Sequence, residues 1–219
     1  MEQPVYKVFD ENPAAYDAWY DSAQGRPLYE SELQALRPLL ANLHRPWLEV
    51  GAGTGRFAEA LKIDYASDPA AGALNIAQSR GVPSVAAWGQ QLPFPDNSMG
   101  AVLVIYALPF AGDQEGLIRE SSRVIASGGH LVLGVVPFES EWGKYYSAKA
   151  SSKDSFFAGA IFLSLHNVLD MSKRAGFDLD DARSTLYQSP RSETFQKENL
   201  ENGADPVAGF VALRLIKSR

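Results

Sequence analysis

The chain has 219 residues, of which 46% are hydrophobic and 21% are charged, with no cysteine and a formal net charge of −6. This composition is typical of one globular domain of ordinary size, and the absence of cysteine excludes disulfides, thiolate nucleophiles and cysteine metal sites. An acidic chain without a basic run is also a poor partner for nucleic acid. No run approaches the roughly 18 apolar residues of a membrane span, and no secretory signal is visible. We therefore expect a single cytoplasmic domain with no membrane partner.

Short apolar runs alternate with amphipathic segments along the chain. This alternation predicts an α/β fold, a mostly parallel sheet with helices on both faces. Strands are predicted at 47–50, 63–67, 83–86, 101–105, 129–136, 178–187 and 207–216. Helices are predicted at 13–22, 30–42, 55–61, 70–80, 114–125 and 164–175, with glycines at 128, 129 and 176 as helix stops.

The first predicted helix carries an aromatic face. Tyr16, Trp19 and Tyr20 are spaced i, i+3 and i+4, which places them on one side of a helix. One interpretation is a helix that packs on the sheet, and the other is a cover over a binding site. Arg26 and Tyr29 follow closely and are further candidates for such a cover.

Residues 47–61, WLEVGAGTGRFAEAL, are the most informative segment. An apolar strand ends in Glu49, glycines at every second position form a tight turn, and an amphipathic helix follows. Glycine permits positive φ and leaves the backbone open to a ligand, and the start of a helix presents free N–H groups. The dinucleotide fingerprint G-x-G-x-x-G needs glycine at position 56, which is Arg56 here, so a pyrophosphate site is disfavoured.

A second acid ends the next predicted strand. Residues 63–68, IDYASD, close with Asp68, and Pro69 follows. An acid about 20 residues beyond the first strand is where doubly wound nucleotide-binding folds hydrogen-bond a ribose diol. The alternative role is the N-cap of the helix predicted from residue 70, and one residue can serve both.

After the third strand, residues 88–100 read WGQQLPFPDNSMG. Residues 92–98 resemble the L-P-F-P-D-x-S stretch of the type 11 methyltransferases, which include the ubiquinone and menaquinone C-methyltransferases. The pattern E-x-G-x-G-x-G at 49–55 resembles motif I of the wider class I S-adenosylmethionine-dependent methyltransferases. Trp88 and Gln90 stand where relatives often carry acids, and Met99 and Gly100 replace the usual Phe-Asp.

The resemblance implies a Rossmann-like seven-stranded sheet with a C-terminal antiparallel hairpin, one methyltransferase domain over residues 1–219, and S-adenosylmethionine as cofactor. The glycine-rich loop then wraps the amino-acid end and ribose of the cofactor. Trp88 is either a wall for the adenine or a core residue. The predicted cofactor-binding residues, all expected at the carboxyl edge of the sheet, are Glu49, Gly51, Ala52, Gly53, Thr54, Gly55, Asp68, Pro69, Trp88, Gly89, Gln90, Ile105 and Tyr106.

Two segments are expected to select the methyl acceptor. Residues 1–43 form a helical lid, because related methyltransferases use this segment over the sulfonium and aromatic rings attract cations. Residues 137–163 form an aromatic-rich insertion that either packs as a satellite cluster or walls a pocket. Residues 28–219 also resemble small bacterial and archaeal methyltransferase-like proteins of unsettled substrate. The predicted substrate-side residues are Tyr16, Trp19, Tyr20, Tyr106, Trp142, Tyr145 and Tyr146.

The predicted function is in-line transfer of a methyl group to a small-molecule acceptor, with an amine nitrogen favoured slightly over oxygen or carbon. Alignment and exclusion of water are the main tasks, so no catalytic base is assigned, and Tyr106 either orients the nucleophile or simply packs. A non-catalytic S-adenosylmethionine-binding regulatory protein is the alternative. His44, His130 and His166 are widely separated, so no metal site is expected.

Overall fold

The structure is a computed structural model that describes residues 7–152 and 155–218. An eight-stranded sheet forms its centre. The sheet order is β3-β2-β1-β4-β5-β8-β6-β7, in which β1 to β5 run parallel and β8 lies antiparallel between β5 and β6. The strands are β1 (Trp47–Val50), β2 (Tyr65–Asp68), β3 (Ser84–Ala86), β4 (Met99–Ile105), β5 (Ile125–Val135), β6 (Phe177–Thr185), β7 (Glu201–Asn202) and β8 (Phe210–Lys217).

Helices cover both faces of this sheet. Within residues 7–152 and 155–218, no helix combines the length and the apolar character needed to cross a membrane. A short 3₁₀ turn, Leu108–Phe110, follows β4. The helices are α1 (Lys7–Glu11), α2 (Pro13–Trp19), α3 (Gly25–Leu39), α4 (Arg56–Leu61), α5 (Ala71–Ser79), α6 (Gln114–Val124), α7 (Glu141–Ala150) and α8 (Leu165–Arg174).

The predicted fold class is confirmed, and the predicted number of strands is wrong by one. The additional strand, β7, has two residues and forms the edge of the sheet, pairing with β6 through Asn202 opposite Arg183 and Glu201 opposite Ser184. Two residues are too few to show a strand period, so the sequence pattern could not reveal it. The helix α7, which lies in the aromatic-rich insertion, was likewise not predicted.

Gly128 and Gly129 do not stop a helix, contrary to prediction. The helix α6 ends at Val124 and β5 begins directly at Ile125, so both glycines lie inside the strand. Gly128 has φ +73°, and the β4–β5 register shifts between Met99 and Ala101. Glycine is used here for a bulge that needs positive φ. Gly176, with φ +89°, does follow the end of α8 as predicted.

The strand β4 shows how the two cores are built. Every residue of β4 is buried because helices cover both faces of the sheet. Ala101, Leu103 and Ile105 face the core beneath α3 and α4, whereas Val102 and Val104 face the core beneath α6 and α8. The alternation follows the two-residue period of a strand, and it leaves the ends of the strands as the place where a ligand can reach the sheet.

Gly100 has a structural reason to differ from the usual Asp. A Cβ built on Gly100 would lie 1.9 Å from the carbonyl oxygen of His44, and the N–H of Gly100 donates to the carbonyl of Pro46 at 2.9 Å. The backbone before β1 therefore occupies the space that a side chain would need. The departure at this position reflects packing between β4 and the entry to β1.

Replacing Gly100 with alanine is expected to lower the free energy of unfolding by about 2 kcal/mol, because the new methyl group meets backbone that has little freedom to move. Urea denaturation measures the effect. Gly112→Ala is the matched control, since a Cβ at Gly112 meets nothing within 4 Å. Equal stability of the two variants would contradict the packing interpretation.

Candidate functional site

A cavity of about 440 Å³, here named the edge cavity, opens at the carboxyl ends of β1, β2 and β4. This is the place where parallel sheets of this kind bind ligands. The residues predicted for the cofactor line the edge cavity with the single exception of Gly55. Those that line it are Glu49, Gly51, Ala52, Gly53, Thr54, Asp68, Pro69, Trp88, Gly89, Gln90, Ile105 and Tyr106.

The glycine-rich loop has the backbone conformation that its sequence predicts. Gly51, Gly53 and Gly55 have φ of +74°, +51° and +78°, a region that L side chains rarely adopt. A Cβ on Gly55 would lie 2.8 Å from the Cβ of Ala77, so this glycine allows the loop to pack closely on α5. A Cβ on Gly51 would lie 2.2 Å from the Cβ of Ala107, so Gly51 also has a packing role, whereas the nearest atom to a Cβ on Gly53 is 3.8 Å away and Gly53 leaves the floor of the edge cavity open.

Asp68 holds the loop from the end of β2. Its Oδ2 accepts the N–H of Gly53 at 2.8 Å and its Oδ1 accepts the N–H of Ala70 at 2.8 Å. The N-cap of α5 is Ala70, so Asp68 makes an Asx turn two residues along rather than the N-cap itself. Burial raises the pKa of Asp68 to about 6, although the two backbone hydrogen bonds act in the opposite direction.

Glu49 is a buried acid with an unused oxygen. Its side chain is 1% exposed, and its Oε2 has no hydrogen-bond partner. Burial, reinforced by the negative charge of Asp68, raises the pKa of Glu49 well above its ordinary value. A buried acceptor without a donor is costly, so a donor that enters the edge cavity could stabilise this side chain.

Trp88 and Gln90 line the same edge cavity as Glu49 and Asp68. Trp88 is 50% exposed, so the interpretation of this residue as a core side chain is wrong. An aromatic ring beside a cavity can pack against a planar ligand.

Ion pairs fasten α2 to the glycine-rich loop. Asp17 accepts the hydroxyl of Thr54 at 2.6 Å, and its Oδ2 lies 2.8 Å from Arg56 Nη2 and 2.7 Å from Arg80 Nη2. Arg56 also pairs with Asp21. Burial alone would raise the pKa of Asp17, but the hydrogen bonds from Arg56, Arg80 and Thr54 together lower it to about 2. The helix α2, whose Tyr16 lines the edge cavity, is thus anchored to the loop by charge.

A second cavity of about 370 Å³, here named the aromatic cavity, adjoins the first. All of the predicted substrate-side residues line it: Tyr16, Trp19, Tyr20, Tyr106, Trp142, Tyr145 and Tyr146. The two other candidates, Arg26 and Tyr29, do not line it. Arg26 pairs with Glu30, and the hydroxyl of Tyr29 donates to the carbonyl of Arg56 at 2.8 Å. The residues that line both cavities are Phe9, Tyr16, Tyr20, Tyr106 and Phe110.

The aromatic-rich insertion is both a packed cluster and a cavity wall. Trp142 is buried and its Nε1 donates to the carbonyl of Gln188 at 2.8 Å. The rings of Tyr146 and Phe157 stack with centroids 4.2 Å apart, and both line the aromatic cavity. The two alternatives left open by the sequence therefore coexist. Residues 153 and 154 of the insertion lie outside the described residues.

Sequence analysis missed Glu32, which lies on α3 and lines the aromatic cavity. It is 2% exposed, its Oε1 accepts the hydroxyl of Tyr106 at 2.6 Å, and its Oε2 has no partner. Burial raises the pKa of Glu32 to about 7, against the effect of the Tyr106 hydrogen bond. The available signal was an acid on the apolar stripe of α3, four residues from both Leu28 and Leu36.

The chain matches the family model described as a methyltransferase domain over residues 48–133. It is 37% identical over 213 residues to an uncharacterized protein of Mycobacterium tuberculosis, covering 97% of this chain and 75% of the relative. An uncharacterized protein of Methanocaldococcus jannaschii is 34% identical over 209 residues, covering 94% and 97% of the two chains.

A solved structure is similar along the whole fold. It is a crystal structure of an S-adenosylmethionine-dependent methyltransferase of Thermotoga maritima, described as a possible histamine N-methyltransferase. The TM-score is 0.88 at 32% identity, and the match covers 97% of this chain and 100% of that one. Within the part of the chain that the structure describes, no group of three or more His, Cys, Asp or Glu residues is arranged to hold a metal ion.

Replacing Glu32 with glutamine is expected to stabilise the ligand-free protein more strongly as the pH rises. The folded pKa is about 7 against an ordinary 4.5, so wild type loses stability as the pH rises from 4.5 through 7 and the buried carboxyl ionises. Glutamine does not ionise. The difference in free energy of unfolding between the variant and wild type should grow by about 3 kcal/mol across this window.

Urea denaturation at a series of fixed pH values measures that difference. Glu30→Gln, which removes an acid from the solvent-facing side of the same helix, is the matched control. A Glu32→Gln difference that stays constant between pH 4 and pH 8 would show that Glu32 carries no burial penalty.

Proposed function

The chain belongs to the S-adenosylmethionine-dependent methyltransferases, and on that premise we propose that the edge cavity binds S-adenosylmethionine and the aromatic cavity receives a small organic methyl acceptor. The single observation that carries this proposal is the wall shared by the two cavities. An in-line displacement needs the acceptor atom, the methyl carbon and the sulfur in one line, with the reacting atoms about 3–3.5 Å apart. That arrangement is possible only where the cofactor site and the acceptor site meet.

The residues of the edge cavity fit the cofactor. The free oxygen of Glu49 suits the ammonium group at the amino-acid end, because a charge-assisted hydrogen bond would satisfy a buried acceptor. Asp68 lies where a ribose diol is expected, and Trp88 offers an indole face to the adenine. Gly53 leaves the backbone open beneath it.

S-adenosylmethionine supplies a methyl group on a positively charged sulfur that is already an activated leaving group. The protein's part is to align the acceptor behind that methyl group and to exclude water. The shared wall is suited to both tasks. The hydroxyls of Tyr16 and Tyr20 hydrogen-bond at 2.7 Å, and Phe9 packs edge-on against Tyr16 with ring centroids 5.1 Å apart.

An amine nitrogen is the proposed accepting atom. The aromatic cavity presents rings, which attract cations, together with a buried acid, Glu32. The Thermotoga maritima protein, described as a possible histamine N-methyltransferase, supports the same class of acceptor. A screen of amines and phenols with bound cofactor tests this. Formation of the demethylated product only with phenols would contradict the assignment to amines.

Calorimetric titration with S-adenosylmethionine and with its demethylated product, S-adenosylhomocysteine, tests the cofactor site. Asp68→Ala is expected to weaken binding by about tenfold or more, equivalent to about 1.4 kcal/mol, because it removes the carboxylate proposed for the ribose and loosens Gly53.

Asp170→Ala, which removes an exposed acid from α8 at a distance from both cavities, is the control and should bind as wild type does. If wild type binds neither ligand, the proposed role of the edge cavity is wrong.

A further inference from the structure

We propose that Glu32 is the specificity-determining residue of the aromatic cavity and that it selects an acceptor whose primary or secondary amine enters as an ammonium ion. This inference rests on the proposed function, because it assigns the chemistry of the acceptor that the aromatic cavity receives. Glu32 lies in neither of the sequence motifs, and the amine is the end of the acceptor that it would hold.

The first support is the unequal use of the two oxygens of Glu32. The hydroxyl of Tyr106 donates to Oε1 at 2.6 Å, whereas Oε2 is buried and accepts nothing. Burying an acceptor without a donor costs free energy, and burying a carboxylate without a donor costs more. The side chain nevertheless lines a cavity large enough for a small molecule. A ligand that brings N–H donors would satisfy it.

The second support is the charge around Glu32. The titratable groups around it are phenols, and burial raises the pKa of each of them, so they stay neutral: Tyr16 on α2, Tyr20 at the C-cap of α2, Tyr29 on α3, Tyr106 after β4 and Tyr146 on α7. Among the described residues no cationic side chain pairs with Glu32. No described side chain is thus placed to balance the charge of Glu32 when it ionises, and a cationic ligand would do so.

The cations nearest to the cavities are already engaged. Arg56, which lines the edge cavity, pairs with Asp17 and Asp21. Lys149 lines the aromatic cavity, but its side chain is exposed and its Nζ lies 4.4 Å from the ring centroid of Tyr145. An anionic acceptor would meet the carboxylate of Glu32 inside and would find a cation only at the exposed edge.

The third support is the surface that surrounds the free oxygen. The rings that line the aromatic cavity include Trp142, Tyr146 and Phe157. Aromatic faces attract a desolvated ammonium ion, and an ion pair with a carboxylate adds direction to that attraction. Neutral alcohols gain neither contribution. The same cavity should therefore discriminate between an amine and an alcohol of the same shape.

Tyr106 links this selection to the shared wall. It lines both cavities, and it has φ +61°, a strained conformation for a tyrosine that is often found at functional sites. Its hydrogen bond holds Oε1, so the carboxylate presents Oε2 from a fixed position beside that wall. An ammonium bound there would lie beside Tyr106, and its nitrogen must release one proton, for which the Glu32 carboxylate is an acceptor, before its lone pair can attack the methyl group.

The test compares amines with alcohols of the same shape. The probes are 2-phenylethylamine with 2-phenylethanol, tyramine with tyrosol, and hexylamine with 1-hexanol, titrated by calorimetry into protein saturated with S-adenosylhomocysteine. In wild type, at least one amine should bind about tenfold or more tightly than its alcohol. In Glu32→Gln the preference should disappear through weaker binding of the amine, with the alcohol unchanged.

Glu30→Gln is the matched control, because it removes an acid from the solvent-facing side of the same helix and lines neither cavity, so the preference for the amine should persist. An amine preference that survives in Glu32→Gln, or its absence from every pair in wild type, would overturn the inference. Binding of S-adenosylhomocysteine is measured first in each protein. If wild type does not bind S-adenosylhomocysteine, the proposed function is wrong. If wild type binds it but shows no preference for an amine, only the role of Glu32 is wrong.

Discussion

The parallel pairing of β1 with β2 and β4 is the constraint on which the rest of the structure depends. Leu48 lies opposite both Tyr65 and Val102, so the three strands end at one edge of the sheet. Helices bury both faces of these strands, and the strand ends are left as the accessible part of the sheet. Glu49 and Asp68 reach the same cavity because their strands are in this register, although 19 positions separate them in sequence.

Burial of acids is the common electrostatic theme of the two cavities. Glu32, Glu49 and Asp68 are all nearly inaccessible to solvent, and burial raises the pKa of each carboxyl. An acid in such a place lowers the stability of the empty protein when it ionises. The ligands proposed for the cavities are cations, so their binding would offset the free-energy cost of burying these carboxylates. The same buried carboxylates thus disfavour the empty site and favour positively charged ligands.

The aromatic cavity depends on contacts between distant parts of the chain. Its walls come from the N-terminal helices, from α3, from the end of β4 and from the insertion that contains α7. Asp17, through Arg56 and Arg80, fastens α2 to the loop of the edge cavity. A shift of α2 would therefore alter both cavities at once, because Tyr16 and Tyr20 line both of them and lie in the same segment as Asp17.

Local features determined what could be predicted from the sequence alone. Strand and helix periods predicted the α/β sheet, the glycine spacing predicted the open loop, and acids at strand ends predicted Glu49 and Asp68, because each depends on neighbouring residues. Tertiary structure decided the rest. Glu32 meets Tyr106 across 74 positions, Gly100 is required by the backbone of His44, and Gly55 packs on Ala77. No local period encodes such pairs, since they exist only after the sheet has brought distant segments together.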